Sequence, residues 1–303
     1  MKMIKAVNIT KRFDRLTAVN NVSLQVDKGQ IFGLLVPNAA GKTTVIRMLC
    51  GIIECDEGEI SLNDKNIKKA KTDFGYVAQH FGKYEDLSVR ENLQFYAQMY
   101  NVTDEQRLQS LLDRYELTKF RDNLAGTLSG GYKRRLALAC ALAHEPEILF
   151  LDEPTAGIDP LTRKLLWDDF YRLSTEGKTL FVTTHYMEEA QRCHQLAFLS
   201  AGEKVAEGTP ETIKHALNNA IVYSTNIPYL PKLRDALIQM KGMMLVNQFG
   251  NELRLVVTSQ ITQTELESII HSVTGKPVPL QVSEPNLEDV FIALTQKEID
   301  SPC

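Results

Sequence analysis

The stretch IFGLLVPNAAGKTTVIRML, residues 31–49, decides the fold. Residues 31–36 are nearly all apolar and predict a buried strand, whereas residues 43–49 have the spacing of a helix. A turn that contains a glycine joins them. Two later apolar runs, 148–151 and 180–183, predict further strands flanked by helix or turn signals. Because strands that are apolar on both faces belong to a parallel sheet covered by helices, we predict an α/β fold.

The rest of the chain predicts two domains. Residues 22–26 alternate as a strand, and a long helical section covers roughly residues 89–143. Two strands near 196–199 and 204–207, joined by a turn, close a first domain of residues 1–217, whose helical subdomain is about 86–143. The second domain, 218–303, is a small α+β unit with the order βαββαβ of a ferredoxin-like fold. Its predicted elements are strand 221–225, helix 230–240, strands 244–246 and 253–257, helix 261–271, strand 278–282 and helix 285–294.

Composition excludes several classes of protein. The 303 residues carry 34 Lys+Arg against 38 Asp+Glu, a net charge of −4, and are 44% hydrophobic, which is typical of a globular chain. No apolar run approaches the roughly 18 residues of a membrane span, and the N-terminus lacks a secretory signal. The mild acidity disfavours a surface that coats nucleic acid. Five cysteines without C-x-x-C spacing favour free thiols in a reducing cytosol.

The turn after the first strand has the composition of a phosphate-binding loop. Such a loop surrounds phosphates with backbone N–H groups, neutralises the β and γ oxygens with a lysine and ligates magnesium with a hydroxyl. Val36 stands where the pattern G-x-x-x-x-G-K-[ST] has its first glycine, so this motif alone is equally compatible with a glycine turn and a solvated lysine. The candidate nucleotide-binding residues here are Pro37, Asn38, Ala39, Ala40, Gly41, Lys42, Thr43 and Thr44.

Two further motifs point to the same chemistry. Asp152 and Glu153 end an apolar strand, where ligands bind in open α/β sheets; Asp152 can belong to the magnesium shell and Glu153 can polarise a water. Ser129, Gly130 and Gly131 precede a helix rich in Lys and Arg, and their N–H groups suit phosphate. Each motif alone is also compatible with an acidic turn or a capped helix. Together, in this order, they predict a nucleotide site.

These motifs resemble those of the ATP-binding cassette (ABC) ATPases over about residues 4–215. The resemblance implies that residues 128–132 are the family signature, Glu153 the catalytic glutamate and Asp159, in 156–159, part of the loop that contacts the partner subunit. It also implies that His185 senses the γ-phosphate, Gln79 couples magnesium and water to the membrane subunit, and Phe13 stacks on adenine. Apart from the resemblance, these three residues have ordinary structural interpretations.

The resemblance further implies how the protein acts. ATP and Mg²⁺ are the expected ligands, with the metal held by Thr43, Gln79 and Asp152, the last through water. Two cassettes, expected to be identical chains, pack head to tail, and residues 129–131 of one complete the ATP site of the other. The helical insertion passes the motion to a membrane partner. One cassette without a membrane span implies a separate transmembrane permease, with this chain bound peripherally on the cytoplasmic face of the inner membrane and without nucleic acid.

Two segments resemble the bacterial exporter group that moves drugs, polysaccharides or other hydrophobic cargo. They are residues 84–93 and 285–291. The second also has the periodicity of an ordinary core-packing helix. DNA-repair cassettes have a long coiled coil between the lysine and acidic motifs, whereas Lys42 and Asp152 are 110 residues apart (152 − 42). Translation-factor cassettes usually occur twice per chain, and this chain has one.

The phosphate loop departs from the family at two positions, where Val36 and Ala39 replace glycine. If either position requires a positive φ, the strain is about 1–3 kcal/mol, which corresponds to roughly 5- to 150-fold in nucleotide affinity or rate. We therefore expect an ATPase that binds ATP less tightly than its relatives and is slow. The alternative is a degenerate cassette subunit, with weakened or lost turnover, that acts as a binding or regulatory partner.

Overall fold

A computed structural model describes residues 1–36, 41–217 and 220–299, with side chains as far as Thr295. The chain divides into two compact units after Lys204. The predicted domain boundary between residues 217 and 218 lies further along the chain and stays a prediction. Within the described residues, no helix combines the length and the apolar character that crossing a membrane requires.

The first unit contains both strands and helices. They are β1 (Lys2–Phe13), β2 (Leu16–Asp27), β3 (Ile31–Leu35), α1 (Lys42–Leu49), β4 (Glu57–Leu62), β5 (Lys65–Asn66), β6 (Phe74–Val77), α2 (Val89–Met99), α3 (Glu105–Arg114), α4 (Gly130–Leu142), β7 (Ile148–Asp152), α5 (Pro160–Thr175), β8 (Thr179–Thr184), α6 (Met187–Ala190) and β9 (Gln195–Ser200). The predicted strands and helices of this region are confirmed. The sequence pattern did not predict β1 or β4, which are largely polar on one face.

A parallel sheet forms the centre of this unit. Its strands follow the order β9-β3-β8-β7-β6, and each neighbouring pair is parallel. All residues of β3, β7 and β8 are buried, as the apolar runs predict. A second, antiparallel sheet has the order β2-β1-β4-β5. The apolar face of α1, with Val45, Ile46 and Leu49, packs in one core with residues of both sheets.

The helical insertion consists of α2, α3 and α4, as predicted. A capping box starts α2: the Ser88 hydroxyl accepts from the Glu91 N–H at 3.1 Å, and the Ser88 N–H donates to Glu91 at 2.7 Å. Asn92 is fully buried and donates to the carbonyls of Tyr84, Leu87 and Ser88. These bonds give the segment 84–93 a defined loop-to-helix geometry, because each buried polar group has a partner.

The second unit confirms the ferredoxin-like order. After β10 (Glu203–Gly208), which spans the division, come α7 (Pro210–Lys214), β11 (Ala220–Asn226), α8 (Pro231–Ile238), β12 (Met243–Phe249), β13 (Glu252–Thr258), α9 (Gln263–Thr274), β14 (Gln281–Ser283) and α10 (Leu287–Ile299). The sheet order is β12-β13-β11-β14 with antiparallel pairs. The predicted strand at 278–282 is wrong over its first three residues, since Pro277 and Pro279 cannot donate to a ladder.

A buried ion pair fixes α10 on this sheet. Asp289 is 0% exposed and accepts from Arg254 of β13, with a shortest Nη2 to Oδ2 distance of 2.6 Å. The N–H of Asp289 donates to the Asn286 side chain at 2.7 Å, and the N–H of Asn286 donates back to Asp289 at 3.0 Å. Leu287 and Val290 are fully buried beside them. The interpretation of residues 285–291 as part of a core-packing helix is therefore confirmed. The resemblance of this segment to the exporter group is a separate observation.

Candidate active site

The predicted phosphate loop leads into the N-terminus of α1. Gly41 precedes this helix with φ at +89°, and a Cβ there would lie 2.3 Å from the Ala18 carbonyl oxygen, so only glycine fits. Lys42 follows and is 8% exposed. Thr43 and Thr44 are half-buried in the first turn. The other predicted loop residues, Pro37, Asn38, Ala39 and Ala40, lie outside the described residues.

Val36 does not carry the backbone strain that its replacement of glycine suggested. It is 0% exposed in the core beside α1, and its N–H donates to the Thr184 carbonyl at 3.3 Å. It is absent from the described non-glycine residues that have a positive φ. A valine is therefore accommodated here as a core residue with an ordinary backbone.

Four of the predicted site residues meet at the carboxylate of Glu153, which is 5% exposed. Its Oε1 forms an ion pair with the Lys42 ammonium, and its Oε2 accepts from Gln79 Nε2 at 3.0 Å. His185 Nδ1 lies 3.3 Å from Oε1, within ion-pair distance but without hydrogen-bond geometry. The structure thus brings together the lysine, the glutamine, the glutamate and the histidine.

The sheet explains why these residues converge. Gln79 follows β6, Glu153 follows β7 and His185 follows β8, while Lys42 begins the helix that comes after β3. Because the carboxyl ends of parallel strands share one edge, side chains from distant parts of the chain meet there. The site is therefore a product of the sheet order and not of local sequence.

Thr183 of β8 positions both acidic residues. Its hydroxyl donates to Asp152 Oδ1 at 2.6 Å, and Asp152 is 1% exposed. The N–H of Glu153 donates to both the carbonyl and the hydroxyl of Thr183, each at 3.1 Å. Glu153 has a φ of +45°, a conformation that costs a residue with a side chain about 1–3 kcal/mol. Strain of this kind concentrates at functional sites, where the surrounding contacts maintain it.

Burial lowers the pKa of two basic groups in the site. Burial lowers the pKa of Lys42, and the nearby Asp152 carboxylate opposes this effect. The pKa of His185 is also lowered, first by burial and then by the positive charge of Lys42, with Glu189 acting in the opposite direction. Since an unperturbed histidine titrates just below neutrality, His185 is predominantly neutral at pH 7.

The side chains present also fit a magnesium ion that arrives with nucleotide. Within the described part of the chain, no three His, Cys, Asp or Glu residues form a ready-made metal cage. Mg²⁺ does not require one, because it usually takes one or two protein oxygens and completes its shell with phosphate and water. Asp152, the Thr43 hydroxyl and the Gln79 amide are the oxygen donors available here.

Other predicted residues lie apart from this centre. In the described residues, no hydrogen bond or ion pair joins Ser129, Gly130 or Gly131 to Lys42 or Glu153; Ser129 and Gly130 are exposed at the start of α4. Asp159 is exposed and caps α5 by accepting from the Thr162 N–H at 3.0 Å. Phe13 is 45% exposed, with Lys11 Nζ 5.6 Å from its ring centre. Ser129, Gly130, Asp159 and Phe13 are therefore exposed at the surface, apart from the cluster around Glu153.

Sequence reasoning missed two buried charged residues. Arg134 of α4 is 9% exposed and donates to backbone carbonyls beside Gln79 and at Glu153. Glu189 of α6 is 1% exposed and accepts from the hydroxyls of Thr155 and Thr184, the second at 2.7 Å. Neither belongs to a motif that we singled out. Their partners are remote in sequence, so spacing gives no signal for them.

Several known proteins are similar to this chain in sequence or in fold. The family profile described as ABC transporter matches residues 19–156. The Nod factor export ATP-binding protein I of Burkholderia pseudomallei is 38% identical over 300 residues, which cover 96% of either chain. The Escherichia coli protein named "Probable multidrug ABC transporter ATP-binding protein YbhF" is 38% identical over 219 residues; the match spans 70% of this chain and 38% of YbhF. A bacterial ABC transporter cassette solved as a dimer superposes with a TM-score of 0.64 and 28% identity, covering 68% of this chain and 98% of that cassette.

Proposed function

This chain belongs to the ABC transporter family, as an ATPase subunit of the exporter group, and we propose that it powers a membrane exporter by nucleotide-driven dimer closure. The observation that carries the proposal is the convergence of Lys42, Gln79 and His185 on the carboxylate of Glu153. This arrangement contains a phosphate-binding cation, a carboxylate base and two polar groups that can orient a water.

In the nucleotide-free state, Lys42 neutralises Glu153. When ATP binds, its β and γ oxygens compete for the Lys42 ammonium, since a lysine at a helix N-terminus is a strong phosphate partner. Glu153 then becomes available to accept a proton from the attacking water, and Gln79 and neutral His185 orient that water and the γ-phosphate. When magnesium is bound, Thr43, Gln79 and Asp152 would hold it, Asp152 through water, and it would neutralise charge on the phosphates.

The exposed groups supply the dimer contacts. We propose that Ser129, Gly130 and Gly131 of one chain bind the γ-phosphate held by the other, because the start of α4 presents unpaired N–H groups to solvent. Asp159 is exposed in the loop that, in this proposal, contacts the partner subunit. The exposed ring of Phe13 stacks on adenine in the same proposal. The solved cassette of similar fold is described as dimeric, which supports the formation of a dimer.

The helical insertion offers a surface for the permease. Tyr84, Phe95 and Met99 are 50%, 38% and 63% exposed, and the rings of Tyr84 and Phe95 stack edge to face at 5.0 Å. Exposed aromatic and methionine side chains are typical of interaction sites. We propose that a separate transmembrane subunit docks here and holds the chain at the cytoplasmic face of the inner membrane. The relative named for Nod factor export supports export over import.

ATP-driven dimerisation tests the proposal. Glu153→Gln should bind ATP without hydrolysing it, so this variant should change from monomer to dimer on addition of Mg-ATP, measured by light scattering. ADP should leave it monomeric. Adding Ser129→Arg, which blocks the start of α4, should abolish the dimer without abolishing ATP binding. A Glu153→Gln chain that binds ATP and stays monomeric would contradict dimer closure, and tight binding by the parent chain with no turnover would favour the degenerate subunit.

A further inference from the structure

The guanidinium of Arg134 is buried among backbone carbonyls of the candidate site. Arg134 lies in α4 and is 9% exposed. Its Nη1 donates to the Ala78 carbonyl at 2.7 Å, and its Nη2 donates to the carbonyls of Gln79 and Glu153, the latter at 3.3 Å. In the described part of the chain Arg134 forms no ion pair. Carbonyl dipoles solvate the buried charge in this position.

These carbonyls belong to the two segments that carry the chemistry. Ala78 and Gln79 follow β6, and Gln79 donates its side-chain amide to Glu153. Glu153 has the strained φ of +45°, which its surroundings must maintain. A single planar guanidinium therefore binds the backbone of both the glutamine and the strained glutamate. A lysine cannot reproduce this contact, because it lacks the fixed fork of donors.

Arg134 also lies one helical turn after the start of α4. Gly130 and Arg134 are four residues apart in a continuous helix, so their relative positions are rigid. A displacement of the first turn of α4 would consequently move the guanidinium and the carbonyls bound to it.

We propose that Arg134 is a positioning residue that couples the first turn of α4 to Gln79 and Glu153 of the same chain. This inference rests on the proposed function, in which the first turn of α4 faces the nucleotide of the partner subunit. Under that arrangement Arg134 transmits the occupancy of the partner's site to the base of its own site. It is a route by which two ATP sites in one dimer influence each other.

The test compares Arg134, near the start of α4, with an arginine that binds backbone carbonyls at the other end of this helix. Arg107 donates to the carbonyls of Ala143 and Leu142, at 2.6 and 2.7 Å, at the C-terminal end of α4. We expect Arg134→Lys to lower kcat for ATP by about 10- to 100-fold, as misplaced catalytic groups do, with little change in KM. Arg107→Lys should leave kcat near that of the parent chain, although both variants can lower the melting temperature.

A second comparison isolates positioning from general damage. If Arg134 acts through Gln79 and Glu153, then Arg134→Lys should reduce kcat much less in a Gln79→Ala background than in the parent chain, because coupled residues are not additive. Unchanged kcat in Arg134→Lys, an equal loss in Arg107→Lys, or additive losses with Gln79→Ala would each overturn the proposal.

Hydrogen exchange gives a readout that does not depend on turnover. Arg134→Lys should increase amide exchange at residues 77–80 and at Asp152 and Glu153, whereas Arg107→Lys should not. A chain without any turnover would overturn the proposed function, and exchange would still decide the coupling. Unaltered exchange at these amides would overturn the coupling while leaving the proposed function intact.

Discussion

The carboxylate of Glu153 forms an ion pair with the ammonium of Lys42, so the residue assigned to activate water is bound by the residue assigned to bind phosphate. The two side chains are 5% and 10% exposed. In this state neither group is free for its proposed task. In the proposed mechanism, ATP replaces Glu153 as the partner of Lys42, which links the arrival of substrate to the release of the base.

The first prediction concerns the stability of this pair. Lys42→Met leaves a buried carboxylate without its cation, and breaking a buried pair costs several kcal/mol. Gln79 still donates to Glu153, so we expect a loss of about 2–3 kcal/mol in the free energy of unfolding. Urea denaturation measures it.

The matched control for this prediction also replaces the Glu153 carboxylate with a neutral side chain. Lys42→Met combined with Glu153→Gln should be more stable than Lys42→Met alone, since the uncompensated charge is gone. Equal stability of the single and double variants would show that the ion pair does not form in solution.

The second prediction is a pH dependence from His185, whose pKa is lowered from 6.5, first by burial and then by Lys42. His185 therefore binds a proton more readily in the unfolded chain than in the folded chain. The free energy of unfolding falls as the pH drops below about 6.5 and rises again as the pH increases. Thermal melts between pH 7.5 and 5.5 should show a larger loss in the parent chain than in His185→Gln.

His144 serves as the internal reference for that experiment. Its pKa is also lowered by burial, and it is present in both chains, so its contribution cancels in the difference. Parallel curves for the parent chain and His185→Gln would mean that His185 titrates normally.

The third prediction concerns Glu189, which accepts hydroxyl bonds from Thr155, just after Glu153, and from Thr184, just before His185. Glu189→Ala leaves both buried hydroxyls without this acceptor, so we expect a loss of about 1–3 kcal/mol in the free energy of unfolding and a lower kcat. Glu188→Ala is the control, because that side chain is 85% exposed. Similar stability losses in the two variants would contradict this role for Glu189.

The fourth prediction concerns the two substituted loop positions. Val36→Gly removes a fully buried side chain and should lower the free energy of unfolding by about 2–4 kcal/mol. The control is Val282→Gly, at a side chain that is 69% exposed, which should lower the free energy of unfolding by about 1 kcal/mol or less.

Nucleotide affinity separates the two substitutions. Because Val36 has an ordinary φ, we expect Val36→Gly alone to change ATP affinity little. The double variant Val36→Gly and Ala39→Gly should bind ATP about 5- to 150-fold more tightly. An unchanged affinity in the double variant would contradict the idea that this loop weakens nucleotide binding.

The chain pattern predicted much of the fold because its central strands are apolar on both faces. β3, β7 and β8 appear in the sequence as short, largely apolar runs, and all their residues are buried. Strands β1 and β4 were not assigned, since their exposed faces are polar. The predicted strand at 278–282 did not take into account Pro277 and Pro279, which cannot donate to a ladder.

The site was predictable where short motifs carry a mechanism. Lys42, Asp152 and Glu153 follow from motif and strand context, whereas Gln79 and His185 depended on the family resemblance. Arg134 and Glu189 were not predictable, because each contacts backbone or hydroxyl groups that only the folded sheet brings close. Sequence spacing does not encode such contacts.

Magnesium-dependent ATP turnover by the purified chain, beside Glu153→Gln, tests the central claim most directly. A second variant, Glu59→Gln, changes an exposed carboxylate of β4 and controls for the loss of a charge. We predict turnover in the parent chain and in Glu59→Gln, and none above background in Glu153→Gln, which should still bind ATP. Turnover that survives in Glu153→Gln would contradict the assignment of Glu153 as the base at the centre of this site.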